Sequence, residues 1–271
     1  MIDFLQKHIV SELTLENKIN RLREALQLLL LKILQDKGYF SYIAFVGGTA
    51  LRVLYGLRRF SEDLDFSVID KKGYDFPEII SVVKRELGLN GLDVEVNTKT
   101  VKTVHSCMLK FPGLLKHLNL SELPDQKLSI KFEADSNPPS GGQDETTLVN
   151  NIYLINIRHF ELPSLYATKI HACCFRAYAK GRDFYDLAWY LGRKIEPNYI
   201  LLNNAIKQTQ GKDIGLSSRN ISDFLLSKIS GIDFKAIKKD VERFLEDKNE
   251  LKLLDASLIS KSIIDVFGQS N

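Results

Sequence analysis

The sequence is poor in cysteine, with three residues (Cys107, Cys173 and Cys174) among 271 and no Cys-x-x-Cys pair. A bridge between the adjacent Cys173 and Cys174 would strain the chain, so no disulfide framework is expected. An odd number of thiols in this arrangement favours a reducing, cytoplasmic setting. The five histidines show no ligand spacing, so the sequence predicts no zinc site.

Long hydrophobic runs and a strong excess of charge are also lacking. The longest apolar run, residues 25–31, is interrupted by Gln27 and falls short of the roughly 20 residues that span a bilayer. The opening MIDFLQK lacks the basic-then-apolar order of a secretory signal. A formal net charge of +3 excludes a histone-like basic surface but allows a local basic patch. We therefore expect no membrane association.

What remains is ordinary globular composition, with 44% hydrophobic and 26% charged residues. The patterning predicts an α+β protein, in which a mixed sheet with flanking helices over residues 1–160 precedes an all-helical domain over residues 161–271. Predicted strands are 39–46, 64–68, 94–96, 106–111, 128–134 and 153–157, with an exposed loop at 135–147. Predicted helices are 15–37, a segment opening at Thr49, 76–88, 163–179, 183–192, 198–208, 220–228, 234–247 and 256–267. Thr14 and Thr49 are expected to cap helix starts, and Gly38 to end the first helix.

A glycine pair, Gly47 and Gly48, stands between a predicted strand and a predicted helix. Glycine allows close approach of a ligand to the backbone, and the N–H groups of a helix start favour an anion such as phosphate. Glycine also serves merely to bend a chain, so this signal is weak by itself. The spacing excludes a P-loop.

An aspartate pair, Asp63 and Asp65, opens the next predicted strand. Residues two apart on a strand face the same side, roughly 6.5–7 Å apart. Two such carboxylates can hold one or two Mg²⁺ ions (or Mn²⁺) on a nucleoside triphosphate. They could also be two solvated acids at a strand edge, although Leu64 and Phe66 are expected to bury the opposite face.

Three further residues fit around this pair. Ser61 can donate to a phosphate, and Glu133, on a later strand, is the candidate third metal ligand. Asp135 faces the same way and is the alternative. Glu133 is otherwise an ordinary solvent-facing strand residue.

A thin basic stripe is expected in the second half of the chain. On a helix over residues 165–180, Lys169, Arg176 and Lys180 share one narrow arc between apolar neighbours. We expect Lys169 to contact triphosphate and Arg176 and Lys180 to contact phosphate or RNA. The simpler interpretation is a solvated helix face.

Two aspartates follow this stripe. Asp183 could cap the helix at 183–192, while Asp186, one turn later, could orient the lysine or take a proton from the acceptor.

Four motifs together resemble the AbiEii/AbiGii abortive-infection toxins, nucleotidyltransferases of the DNA polymerase β-like superfamily. They are GGTALR at 47–52, RFSEDLDF at 59–66, ATKIHA at 167–172 and RDFYDL at 182–187. Each is weak by itself, and the order of all four is specific. No motif lies in residues 195–271.

The resemblance implies a nucleotidyltransferase-type fold and an enzyme that uses an NTP with Mg²⁺. It also implies the toxin of a toxin–antitoxin pair, with a cognate antitoxin and, in some members, the tRNA acceptor end as substrate. By motif position it places metal binding on Asp63 and Asp65, and catalysis on the motif of Asp183 and Asp186. The expected nucleotide contacts are Gly47, Gly48, Thr49, Arg52, Ser61 and Lys169, and the expected acceptor contacts are Arg176, Lys180 and Arg182.

Other classes are weighed against this one. A glycosyltransferase also uses Asp-x-Asp, but the Gly47-Gly48 turn and Lys169 fit it poorly. A non-catalytic nucleotide- or RNA-binding module would not need Asp63, Asp65 and Lys169 together, and a purely structural helical protein leaves the aspartate strand unexplained. The acceptor could be an RNA 3′ end or a protein hydroxyl.

Overall fold

A computed structural model describes residues 2–7, 13–123 and 125–268. The strands are β1 (Ile43–Val46), β2 (Asp63–Val68), β3 (Glu95–Val101), β4 (Val104–Phe111), β5 (Leu128–Asp135), β6 (Asp144–Asn150) and β7 (Leu154–Phe160). The helices are α1 (Ile2–Lys7), α2 (Leu15–Asp36), α3 (Gly47–Tyr55), α4 (Phe76–Leu89), α5 (Leu114–His117), α6 (Leu162–Phe175), α7 (Gly181–Gly192), α8 (Tyr199–Gln210), α9 (Ile221–Ile229), α10 (Phe234–Val241) and α11 (Ala256–Phe267).

Within the described residues the strands form one mixed sheet in the order β3-β4-β5-β2-β1-β7-β6. β2 pairs with β5 in parallel, and β1 pairs with β7 in parallel. β1 with β2, β3 with β4, and β4 with β5 are antiparallel. A mixed sheet with flanking helices and a helical C-terminal region confirms the predicted α+β class.

Strand β5, next to the central strand β2, has two chemically different faces. Its buried residues Leu128, Ile130, Phe132 and Ala134 alternate with partly exposed polar ones. On the buried side, Phe132 stacks on Phe66 of β2 with ring centroids 4.7 Å apart and contacts Phe76 of α4 at 6.0 Å. Each buried Phe contributes about 1.5–3 kcal/mol, so this side holds the sheet together and leaves the other face to polar side chains.

The chain divides into two compact units. The first comprises Met1–Gly56, Phe60–Pro138 and Asp144–His159, and the second comprises Leu57–Arg59, Pro139–Gln143 and Phe160–Asn271. The sheet with α2, α3 and α4 makes the core of the first. In the second, α6 packs on α7, α8 and α9, and α7 packs on α10 and α11. Among the described residues, no helix is both long and apolar enough to span a membrane.

The first long helix, α2, begins and ends as predicted. The Thr14 side chain accepts a hydrogen bond from the Asn17 N–H, so Thr14 caps α2. Gly38 follows the helix with φ +74°, a left-handed conformation that glycine adopts at little cost.

Several predicted boundaries were wrong. Residues 39–41 form a 3₁₀ turn closed by the Tyr42 N–H on the Tyr39 carbonyl (2.9 Å), so the strand begins only at Ile43. The predicted loop 135–147 ends early, because β6 begins at Asp144 and pairs with β7. The helix predicted over 234–247 ends at Val241 and continues as a 3₁₀ turn.

Candidate active site

The polar face of the first unit carries the predicted aspartates. β2 and β5 are parallel and in register, so Asp65 lies beside Glu133 and Asp63 beside Lys131. Side chains directly opposite each other on paired strands share a face of the sheet. The structure therefore brings Asp63, Asp65 and Glu133 to one surface, which we call the carboxylate face.

Lys131 is the basic residue of the carboxylate face and was not anticipated. Its Nζ lies 2.7 Å from Glu133 Oε1. Burial would lower the pKa of Lys131, but Glu133, Asp63 and Asp65 outweigh burial and raise it. Lys131 thus stays charged and offsets part of the repulsion among three carboxylates.

A divalent ion is compatible with this surface. Among the described residues, no group of three or more His, Cys, Asp or Glu side chains is already arranged as a metal cage. Mg²⁺ usually takes one or two carboxylates and completes its shell with water and substrate phosphates. Asp63 and Asp65 supply that donor set, with Glu133 beside them in register.

The start of α3 lies directly against Asp65. Val46 pairs with Asp65, and the chain enters the helix at Gly47 with φ +81°. A Cβ built on Gly47 would stand 2.3 Å from Asp65 Oδ2. The N–H end of the helix, which attracts anions, therefore lies next to a predicted metal ligand. No side chain other than the hydrogen of glycine fits between them.

We expect Gly47→Ala to abolish most activity and to destabilise the fold. The change combines an unfavourable positive φ, which costs about 1–3 kcal/mol, with displacement of the Asp65 carboxylate. Gly56→Ala is the matched control, because Gly56 ends the same helix at φ +70° with nothing within 4 Å of a built Cβ. Thermal unfolding should show a loss in both variants, and turnover should collapse only in Gly47→Ala. Equal turnover in the two would contradict the packing argument.

The remaining residues of the first two motifs have mixed outcomes. Thr49 does not cap α3, since the helix begins two residues earlier and the Thr49 hydroxyl donates to the Asp63 carbonyl instead. That bond fixes α3 to β2. Arg52 pairs with Glu24 and lies 4.2 Å over the Phe60 ring, so its guanidinium is engaged within the first unit.

The Ser61 hydroxyl was predicted to donate a hydrogen bond to a phosphate. The backbone carbonyl of Ser61 accepts a hydrogen bond from Gln27 Nε2 (3.1 Å), which positions the residue. Its hydroxyl makes no hydrogen bond to the part of the protein that the structure describes. The roles of Ser61 and Arg52 as nucleotide contacts stay predictions.

The second unit contains a buried charge cluster formed by Arg59, Lys169, Asp183 and Asp186, which the more exposed Arg176 joins through Asp183. Arg59 binds Asp186 through two hydrogen bonds, Nε to Oδ1 at 2.7 Å and Nη2 to Oδ2 at 2.6 Å. Lys169 Nζ lies 2.9 Å from Asp186 and 3.2 Å from Asp183. Three cations against two carboxylates leave the cluster with a formal charge of +1. That surplus favours an anionic ligand.

Ionisation in this cluster is maintained by the pairing. Burial would raise the pKa of Asp186, but Arg59 and Lys169 outweigh it and hold that pKa below its usual range. Burial would likewise lower the pKa of Lys169, yet Asp186 and Asp183 raise it. Arg59, Lys169 and Asp186 therefore remain charged. A lysine that binds phosphate must carry its charge.

The two aspartates of the cluster are not equivalent. Both oxygens of Asp186 accept hydrogen bonds from Arg59. Asp183 uses Oδ1 on Lys169, while its Oδ2 lies 3.2 Å from Arg176 Nη1 and makes no hydrogen bond within the described residues. Asp183 is therefore paired with Lys169 and Arg176, and Asp186 with Arg59 and Lys169. The alternative in which Asp183 caps α7 does not hold, because the helix begins at Gly181.

The predicted basic stripe does not exist as one helix face. α6 ends at Phe175, and the backbone is already extended at Arg176 (φ −68°, ψ 146°), where that side chain pairs with Asp183. Lys180 precedes the next helix, with Nζ 5.8 Å from the Tyr178 ring, and the Arg182 guanidinium lies 4.3 Å over Phe244. Arg176, Lys180 and Arg182 are therefore close in sequence but do not share one helix face, and each has a different neighbour.

Arg59 is a second residue, after Lys131, that sequence reasoning missed. It lies within the RFSEDLDF motif, yet its partner Asp186 is 127 residues away. The one signal in the sequence was that Arg59 opens this motif. Without the motif, Arg58 and Arg59 side by side would predict a solvated turn.

A family model described as nucleotidyl transferase AbiEii toxin, type IV TA system, matches residues 28–258. The chain belongs to the AbiEii family. This range includes the carboxylate face and the buried charge cluster, and the AbiEii protein is accordingly a nucleotidyltransferase. The resemblance drawn from the four motifs is confirmed.

Two solved structures are similar to this AbiEii protein. A proposed nucleotidyltransferase from H. pylori aligns with a TM-score of 0.51 and 20% identity, over 90% of this chain and 96% of the other. JHP933 from Helicobacter pylori aligns with a TM-score of 0.49 and 20% identity, over 90% and 92%. The first likeness shows a shared fold. No curated protein matches the sequence significantly.

Proposed function

We propose that this AbiEii protein transfers a nucleoside monophosphate from an NTP to the 3′ end of an RNA, with tRNA as the acceptor class. The carboxylate face carries the proposal, because Asp65 and Glu133 lie in register beside Asp63 while Gly47 packs against Asp65. This arrangement suits a triphosphate with a divalent ion.

The chain's own residues divide the work of binding. A divalent ion held by Asp63 and Asp65, with Glu133 nearby, would neutralise phosphate charge and favour ionisation of the attacking hydroxyl. The backbone N–H groups of Gly47 and Gly48, at the start of α3, donate hydrogen bonds to phosphate oxygens. Ser61 donates one further hydrogen bond.

The second cluster supplies positive charge and a base. By motif position, Lys169, whose ammonium group lies 2.9 Å from Asp186, is the proposed triphosphate contact. In the transfer, the acceptor hydroxyl oxygen forms a bond to the α-phosphorus, and the bond to pyrophosphate breaks. By motif position, Asp183 is the proposed acceptor of the hydroxyl proton.

The distribution of charge supports a polyanionic acceptor. The second unit has 19 Lys and Arg against 14 Asp and Glu, a formal charge of +5, whereas the first has 18 against 20, a charge of −2. Arg176, Lys180 and Arg182 lie in the positive unit and are the proposed acceptor contacts. A cognate antitoxin, as the type IV toxin–antitoxin family implies, would be the protein partner.

Labelling decides between the possible acceptors. Pure protein is incubated with Mg²⁺, each α-³²P-labelled NTP in turn, and total RNA, and the products are separated on denaturing gels. We expect label in RNA of tRNA size, lost when EDTA replaces Mg²⁺. Label confined to protein and resistant to ribonuclease would overturn the RNA acceptor and retain the transfer reaction. No label in either, with every NTP, would contradict the proposed function.

A further inference from the structure

A concave feature lies in the helical unit, beginning at Phe175, which directly precedes the proposed acceptor contact Arg176. Phe175, the last residue of α6, stacks on Phe224 of α9 with ring centroids 6.0 Å apart and an interplanar angle of 29°. These rings line a cavity of about 380 Å³ together with Gln210, Lys212 and Lys228. We call this the aromatic pocket. Its volume falls in the range of sites that hold small ligands.

The charge of the aromatic pocket is positive and uncompensated. Lys228 Nζ lies 4.7 Å from the centre of the Phe175 ring and 5.7 Å from that of Phe224. Within the described part of the chain, neither Lys228 nor Lys212 has a carboxylate partner, and no acidic side chain lines the cavity. Aromatic rings beside ammonium groups that have no carboxylate partner suit a ligand that is both aromatic and anionic.

A nucleotide has both properties. Its base can stack on an aromatic ring, and its phosphate can reach a lysine, which is the combination found where proteins hold single-stranded nucleic acid. An apolar peptide would leave Lys212 and Lys228 without an anionic partner, and an acidic peptide would make no use of the ring faces.

The chain next to the pocket repeats this chemistry. After Phe175 the backbone leaves α6 through exposed residues that include Tyr178, which is 69% exposed. Lys180 Nζ lies 5.8 Å from the Tyr178 ring. The aromatic members of the two aromatic–lysine pairs, Phe175 and Tyr178, are three positions apart in sequence with Arg176 between them, while Lys228 comes from α9. One mononucleotide would use a single pair, whereas a strand could use both.

We propose that the aromatic pocket binds an unpaired nucleotide of the acceptor RNA, with the base stacked on Phe175 and Phe224 and its phosphate at Lys228 and Lys212. The proposal rests on the proposed function, which supplies the acceptor, but it assigns a site outside the residues that perform the transfer.

The test measures binding of a fluorescein-labelled single-stranded RNA oligonucleotide of about a dozen residues, without NTP or metal, so that the result does not depend on transfer. We expect Phe224→Leu to weaken binding about tenfold, as loss of one stacked base does, and Phe224→Tyr to bind like the wild type. We expect Lys228→Gln to weaken binding severalfold and to flatten the dependence of affinity on salt by about one counterion. Lys261→Gln, an exposed lysine on α11, is the matched control and should change neither.

Each other outcome is informative. Wild-type RNA affinity in both Phe224→Leu and Lys228→Gln would overturn the proposal. Weaker binding of ATP, CTP, GTP or UTP with unchanged RNA affinity would overturn it in favour of a free nucleotide. A lower melting temperature in Phe224→Leu identifies a packing effect, and the decision then rests on Lys228→Gln and Phe224→Tyr. Absence of transfer in the labelling experiment, with these binding results intact, would sink the proposed function alone.

Discussion

Asp63→Asn and Asp65→Asn are each expected to lower nucleotidyl transfer by about 10³-fold or more. Each change keeps the shape of the side chain and removes the charge that a divalent ion requires, a loss of roughly 4 kcal/mol in transition-state stabilisation. Both side chains lie on the partly exposed face of β2, so the melting temperature should stay within a few degrees of the wild type. Single-turnover rates at saturating Mg²⁺ measure the effect.

Three matched variants sharpen this experiment. Asp125→Asn changes an exposed turn residue and should keep full activity. Glu133→Gln should lose activity, and Asp135→Asn should retain it, because Glu133 and not Asp135 lies in register with Asp65. Near-normal turnover in either Asp63→Asn or Asp65→Asn would remove the carboxylate face from the mechanism.

The carboxylate face could be foreseen because its information is local. Alternation along β5 separates Phe132 and Ala134 from Glu133, and two-residue spacing places Asp63 and Asp65 on one side of β2. What alternation could not supply was the register between the two strands, which depends on residues about 70 positions apart. Lys131 was missed for that reason, since its proximity to Asp63 exists only in the paired sheet.

Of the buried charge cluster, local reasoning anticipated only the contact between Lys169 and Asp186. A helical projection of residues 165–180 assumes that the helix continues, but periodicity does not mark where α6 stops at Phe175. Beyond that point Arg176 turns to Asp183, and the expected stripe is divided. The side chains that meet in the cluster come from three separated segments, and the energy that joins them is tertiary.

Arg59→Gln is expected to be the most destabilising single change in the second unit. The Arg59 side chain is 2% exposed and that of Asp186 is 0% exposed. Removing the arginine leaves Asp186 buried with Lys169 as its cation, and breaking a buried pair in this way costs about 3–5 kcal/mol. We expect a fall in melting temperature on the order of 10 °C together with a marked rise in the KM for NTP, because Lys169 is drawn further toward Asp186.

The neighbouring arginine separates this effect from a general loss of charge. Arg58 has a side chain that is 62% exposed and pairs with Glu250 at 3.0 Å, so Arg58→Gln should cost less than about 1 kcal/mol. Arg59→Lys should recover little, since an ammonium group cannot make both hydrogen bonds to Asp186. The double variant Arg59→Gln/Asp186→Asn should be no less stable than the less stable of its two single variants, because it leaves no buried carboxylate without its arginine. Additive losses of stability in the double variant would show that Arg59 and Asp186 act independently. Equal losses of stability in Arg58→Gln and Arg59→Gln would show that the pair of Arg59 and Asp186 has no special weight. Either result would mean that Lys169 is not positioned through this pair.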